Sequence, residues 1–348
     1  MRDALELVRR DVLLGNPGRY GIADEQLHFP YLYESARGHW YMTYREGPHL
    51  EKRFGPGNRV QCVQSRDGGR SWLPWMGLAP EQWLYQLFIT RLRDGSLISY
   101  RCRMEQLQRQ PDGRLEGVSI MLRSRDEGHT WSRSEARVEN MPFTLGPQLV
   151  SLWGHAIELP DGNLLWACFS REGQTISGIV RSKDGGQSFQ WVADACSDDA
   201  VGERRELGLV RLPSGQLYGL VRCGTESSKP MVAVRSSDDG ATWSAPRRMA
   251  RPGVCPQLLL LPRGVLVCSY GTRRYVHAMA SLDGAGDEWS EPLVLYEGQT
   301  SGYSNLQVLG ADRFRVVYQE GAFDAPQEGG SRIVRAEIRV AQQPKDAR

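Results

Sequence analysis

No run of residues in this 348-residue chain nears the roughly 18 consecutive apolar positions of a membrane span, and the opening stretch MRDALELVRRDVLLG carries no signal-peptide core. A membrane is therefore not an expected partner. Neither sign of charge dominates: 43 basic residues stand against 41 acidic ones, for a net charge of +2 without a block of like charge. Nucleic acid is not an expected partner either. The seven cysteines are odd in number and no two have C-x-x-C spacing. That argues against a disulfide framework or zinc and for buried free thiols in a reducing compartment. The expected location is cytoplasmic, or secreted or periplasmic should a signal peptide precede this sequence. No group of His, Cys and carboxylates has metal-ligand spacing, and no glycine-rich loop opens a helix, so neither a metal nor a nucleotide cofactor is expected.

What the chain does have is glycine, 38 residues of it, and ten tryptophans, a composition of many turns and short strands with large aromatic plugs. It also repeats. SRDGGRSW at Ser65–Trp72 returns as SRDEGHTW at Ser124, SKDGGQSF at Ser182 and SSDDGATW at Ser236, with SLDGAGDEW at Ser281 one residue longer. The serine-to-serine spacings are 59, 58, 54 and 45 residues. Periods of that size belong to solenoids, propellers or arrays. In each copy the Ser and Asp side chains suit the backbone groups of a tight turn, Gly supplies positive φ, and the aromatic packs back on the sheet. A feature repeated in five units is scaffold, not a single catalytic centre.

A second pattern lies upstream of each polar turn: an apolar run, a turn, another apolar run. It is centred on Gly38, Gly95, Gly162, Gly215, Gly264 and Asp312. Such segments read as hairpins. The pattern predicts an all-β fold, a six-bladed β-propeller of four-stranded antiparallel blades with five polar turns, one domain over residues 1–348. The last unit is expected to close the ring by pairing the N-terminal segment with a strand around Arg332–Val340.

The repeat also serves as a ruler. Nine residues before each turn stand Gln86, Trp153, Glu206, Cys255 and Tyr303, with Phe29 or His28 in the first unit. These positions are expected to ring one mouth of the central channel. About seven residues after each turn stand Arg45, Arg101, Phe169, Arg222, Gly271 and Gln319, with Arg273 and Glu320 just beyond. Arginine forks bind carboxylates, so an anionic ligand, an acidic sugar, is expected. A phenol is a weak nucleophile, but Glu206 as its base would let Tyr303 attack a sugar carbon beside a carboxylate, where an anionic nucleophile is repelled. Taken singly, a Tyr opening an inner strand more commonly packs and an Arg at a strand end is more commonly solvated. Their convergence is what points to a site.

The polar turns are similar to those of the sialidase (neuraminidase) superfamily, also called BNR or Asp-box proteins, and the resemblance covers nearly the whole chain. Gly302-Tyr303-Ser304-Asn305-Leu306 resembles the context of the sialidase nucleophilic tyrosine. Glu206 in ELGLVRLPSGQLYGLVR, with Arg222 sixteen residues on, resembles the partner glutamate and a substrate-binding arginine. Arg273, eight residues before Ser281, stands where another such arginine is found.

The N-terminal part departs from the pattern. Where sialidases carry Phe/Tyr-Arg-Ile-Pro, this chain has Leu27-His28-Phe29-Pro30, with His28 in the arginine's place and Arg45 on the adjacent strand as the compensating cation. The first unit's long loop, GPHLEKRFGPGN, lacks the family's acid/base aspartate and offers His49, Glu51 or Glu46 instead. His49 is the first choice because imidazole titrates near neutrality.

The resemblance thus implies an exo-acting glycoside hydrolase releasing terminal sialic acid or a related ulosonic acid, acting on an acidic glycan or sialoside. Tyr303, Glu206 and His49 would be catalytic, and Arg222, Arg273, Arg45 and His28 would bind substrate. Two alternatives stay open: a uronate-directed glycosidase or polysaccharide lyase on the same scaffold, and a non-catalytic carbohydrate-binding propeller.

Overall fold

The computed structural model describes residues 4–15, 26–47, 59–77, 88–101, 104–142, 149–171, 175–197, 201–224, 229–321 and 331–341. Within them the chain runs through a succession of β-strands. No helix among the described residues is long and apolar enough to cross a membrane.

Among the described residues, four sheets have four strands each and one has nine. The first runs in chain order through Gln26–Glu34, Trp40–Gly47, Arg59–Ser65 and Leu73–Pro74. In the nine-stranded sheet, Thr90–Arg91, Leu97–Tyr100, Leu115–Ser124 and Ser132–Met141 form one meander, with Glu105–Arg109 added on Leu115–Ser124. Leu149–Glu158, Leu164–Arg171, Ser177–Ser182 and Ser188–Asp194 form another. The two meanders join through parallel pairing of Arg137–Glu139 with Ser188–Gln190. Arg204–Arg211, Leu217–Cys223, Pro230–Ser236 and Arg247–Pro252 make the next sheet, and Val254–Leu260, Leu266–Gly271, Tyr275–Ser281 and Leu293–Glu297 the one after.

The last sheet draws on both chain ends. Ser304–Val308, Arg313–Gly321 and Ser331–Val340 are completed by Leu5–Leu14, which pairs antiparallel with Ser331–Val340 as the sequence predicts. Side chains lock that seam: Arg10 donates to the fully buried Glu320 at 2.6 Å, and Arg335 to Asp11 at 2.8 Å. The first sheet lies against the last, with Leu32 N donating to Asn305 Oδ1 at 3.2 Å. Four-stranded meanders whose first and last members touch are consistent with a β-propeller.

Burial is graded across each sheet, which is what the residue types demand. Leu217–Cys223 (LYGLVRC) is buried throughout, because its neighbours cover both faces, whereas the fourth strand of that sheet, Arg247–Pro252 (RRMARP), is mostly exposed. The core is aromatic where meanders meet: Trp166 is fully buried, its ring 4.7 Å from Tyr100 and 5.9 Å from Phe189. Cys62, Cys168, Cys223, Cys255 and Cys268 are buried free thiols, Cys196 is buried as well, and Cys102 lies outside the described residues.

The repeated polar turns close the hairpins between third and fourth strands. Ser182 Oγ donates to Asp184 Oδ1 at 2.7 Å and accepts from Gly186 N at 2.8 Å, while Asp184 accepts from Ser188 N at 3.0 Å and Ser188 Oγ at 2.6 Å. Partial burial acts to raise the Asp184 carboxyl, but these donors outweigh it and hold it at about 2. The turns at Ser65, Ser124 and Ser236 use the same bonds, and the one at Ser281 accommodates its extra residue by bonding Gly286 N. Since a third strand runs away from the point where the first begins, these turns sit at the end of each sheet opposite the start of its first strand.

Candidate functional site

The first strands of four of the units break their pairing at or beside residues counted off in the sequence. Register shifts lie between His28 and Tyr31, Trp153 and Ile157, Arg204 and Leu207, and Val254 and Gln257. A bulge re-aims side chains that a regular ladder would bury within the sheet. Two bulky residues pay for this with left-handed backbone, Phe29 at φ +51° and Cys255 at φ +50°. The segment before Ser304–Val308 turns at Gly302 (φ +75°), where a Cβ would come within 2.7 Å of Thr272 O. Glycine is required there on both counts.

That turn delivers Tyr303, and its surroundings fix it. Ser301 N donates to Gln319 Oε1 and Thr300 Oγ1 to Gln319 O, both at 2.7 Å, while Arg273 Nη1 holds Ser301 O at 3.0 Å. Beyond the tyrosine, Ser304 Oγ bonds Ser269 Oγ at 2.8 Å. The phenol then donates to Glu206 Oε1 at 2.6 Å. Arg222 Nη1 donates to both Glu206 oxygens at 3.0 Å and lies 3.4 Å from the phenol oxygen. Glu206 and Arg222 are each 3% exposed. Burial alone would lower the Arg222 guanidinium, but the charges of Glu206 and Tyr303 outweigh it and hold it above its ordinary value. The Cys255 thiol shares this field: burial, then the Glu206 charge, push it well above the ordinary range.

Rings wall the phenol on its apolar sides. Phe29 meets it edge-on at 4.7 Å and Trp153 at 6.0 Å. Phe88 and Phe169 pack behind Trp153 at 5.1 and 5.7 Å.

Among the residues picked out in the sequence, Tyr303, Glu206 and Arg222 thus touch directly, with Phe29, Trp153 and Cys255 around them. His28 precedes Phe29 and pairs across the sheet with Arg45, both buried. Arg273 reaches the site through Ser301. Arg101 is ion-paired to Glu105 at 2.7 Å. Glu46 accepts from Gln61 at 2.5 Å. His49, Glu51 and Gln86 lie outside the described residues. The sequence reading missed Arg204 and Arg205, both buried beside Glu206, with Arg205 bonded to Glu203 at 3.3 Å. Their signal, three charged residues opening a strand, reads as a solvated end; only the bulge turns them inward. No cluster of His, Cys, Asp and Glu among the described residues is arranged to hold a metal ion.

Residues 106–316 match the family model for the BNR repeat-like domain. No curated protein sequence matches the chain. Among solved structures it is similar to a protein of unknown function from Dyadobacter fermentans, at 20% identity and a TM-score of 0.71, covering 97% of this chain and all of that one (100%). It is also similar to the Hadza microbial sialidase Hz136, at 20% identity and TM-score 0.64, covering 90% of this chain and 66% of that one. The α-L-arabinanase of Penicillium chrysogenum, solved with arabinobiose, aligns at 16% identity and TM-score 0.65, covering 96% of this chain and 99% of that one. At these identities the likeness is one of fold.

Proposed function

The chain belongs to the BNR repeat-like domain family, and we propose that it is a glycoside hydrolase on a single six-bladed propeller, removing a terminal sialic or related ulosonic acid from an acidic glycan. The observation that carries this is the 2.6 Å bond from the Tyr303 hydroxyl to Glu206, with Arg222 behind the carboxylate. Binding alone does not call for a carboxylate on a phenol. A nucleophile does: as the Tyr303 oxygen attacks the anomeric carbon, its proton passes to Glu206, and Arg222 stabilises the negative charge shared between them. The leaving oxygen takes a proton from an acid, for which His49 is our choice. Water, giving up a proton to His49, then attacks the glycosyl-tyrosine carbon, and the phenol leaves with the proton returned by Glu206. Arg273, Arg45 and His28 are assigned to the substrate carboxylate, with Arg222 contributing from the Glu206 side.

A second reading follows from how Arg222 is used. Its Nη1 is committed to Glu206, and His28 stands where sialidases have an arginine, so the grip on a carboxylate is reduced. The likeness to an arabinanase supports a neutral furanoside as the alternative substrate.

The test is hydrolysis of the 4-methylumbelliferyl ketoside of N-acetylneuraminic acid beside 4-nitrophenyl α-L-arabinofuranoside. Release from the first, abolished by Tyr303→Phe, is expected. Release from the second alone would replace the acidic substrate with the neutral one, and release from neither would end the glycosidase reading for both.

A further inference from the structure

We propose that Trp153 is a specificity-determining residue of this mouth, its indole N–H donating a hydrogen bond to an oxygen of the sugar seated against Tyr303. The starting observation is chemical. Trp153 Nε1 is buried and has no hydrogen-bond partner among the described residues. A buried donor left unsatisfied costs about 1–3 kcal/mol.

This fold does provide acceptors for its indoles elsewhere. Trp75 and Trp131 both donate to Gly128 O at 3.1 Å, Trp243 to Gly240 O at 3.0 Å, and Trp289 to Gly286 O at 3.1 Å. Trp72 Nε1 also lacks an acceptor, but it belongs to a polar turn and packs on Trp40, far from the mouth. Around Trp153 the neighbours cannot serve. The rings of Phe88 and Phe169 offer no acceptor, and the Tyr303 hydroxyl, which donates to Glu206, already accepts from Arg222 Nη1 at 3.4 Å. The adjacent carbonyl, Gly154 O, already accepts from Trp166 Nε1 at 2.7 Å and Tyr100 OH at 3.3 Å.

The position adds the second half. Trp153 opens the pairing break of its strand, next to Gly154 at φ +73°, and its ring stands 6.0 Å from that of Tyr303. A donor held between rings beside the candidate nucleophile suits the hydroxyl, ring or acyl oxygen of a sugar whose C–H face lies on the aromatic wall. A site built around such a donor discriminates against ligands lacking the matching acceptor far more sharply than an apolar contact would.

The inference rests on the glycosidase reading, and its test separates the two. Trp153 is replaced by the benzothienylalanine isostere, which carries sulfur in place of N–H, and separately as Trp153→Phe. Each protein is titrated calorimetrically with 2,3-dehydro-N-acetylneuraminic acid and with arabinobiose, and its Tm is recorded. The expected result is affinity for the bound sugar weakened about 5- to 100-fold in the isostere, with Tm unchanged or raised because an unsatisfied donor has been removed. Equal affinity in wild type and isostere would overturn the role of Trp153 while leaving the glycosidase reading intact. A wild type that binds neither sugar overturns both.

Discussion

The hydroxyl of Tyr303 donates to Glu206 across 2.6 Å although 97 residues separate the two in the chain. Both are nearly shut from solvent, so the bond forms where charge is poorly screened.

Removing the phenol oxygen should abolish chemistry without dismantling the fold. Tyr303→Phe keeps the ring contacts with Phe29 and Trp153 and gives up the bond to Glu206 and the longer one from Arg222. A fall in kcat of about a thousandfold or more, with little change in Tm, is expected. Retained kcat would place the nucleophile elsewhere.

Removing the carboxylate should damage both. Glu206→Ala strands the buried Arg222 guanidinium without its counter-charge, a change that costs about 3–5 kcal/mol in comparable buried pairs. Urea denaturation measures it. The double variant Glu206→Ala, Arg222→Met should recover part of the lost stability and none of the activity.

The polar turns should separate stability from function. Asp184→Ala removes the acceptor for Ser182, Gln187 and Ser188 at the end remote from Tyr303. A loss of about 1–2 kcal/mol with unchanged kcat/KM is expected. An equal loss of activity would mean that the turns act on the site.

Acid should weaken the protein well before its carboxylates titrate. Burial lowers His155 and His277 to about 4 each, with Arg251 adding to the effect at His277. The unfolded chain holds these groups near 6.5. Above about pH 6.5 their contribution to stability is complete; as the pH falls toward 4 the unfolded state takes up protons that the native state refuses, and stability declines. Tm measured from pH 7 to pH 5 should fall, and less steeply in His155→Gln. A flat profile would show that neither ring is held neutral.

Much of this was legible in the chain because a repeat is a ruler. The period from Gly162 to Gly215 to Gly264 is enough to align Trp153, Glu206 and Cys255 without coordinates, and the turn glycines do adopt the positive φ that the hairpins require. Closure by the N-terminal strand was legible for the same reason, since the sixth hairpin is followed by no polar turn. What the period does not carry is a break in it. The bulge at Arg204–Leu207 turns Arg205 inward, and a residue count that assumes a regular ladder passes over it. Nor does spacing reveal how a fork is spent: only distances show Arg222 donating to Glu206. His49 falls in GPHLEKRFGPGN, outside the two sets of positions that the count aligns, so the ruler gives it no place.

The nucleophile is tested most directly by trapping it. Incubation with 2,3-difluoro-N-acetylneuraminic acid, which forms but slowly loses the glycosyl-enzyme, followed by peptide mass mapping, is expected to find the sugar attached through the oxygen of Tyr303 and no adduct in Tyr303→Phe. Turnover of the ketoside with the label on another side chain, or with no label at all, would contradict the role given to Tyr303.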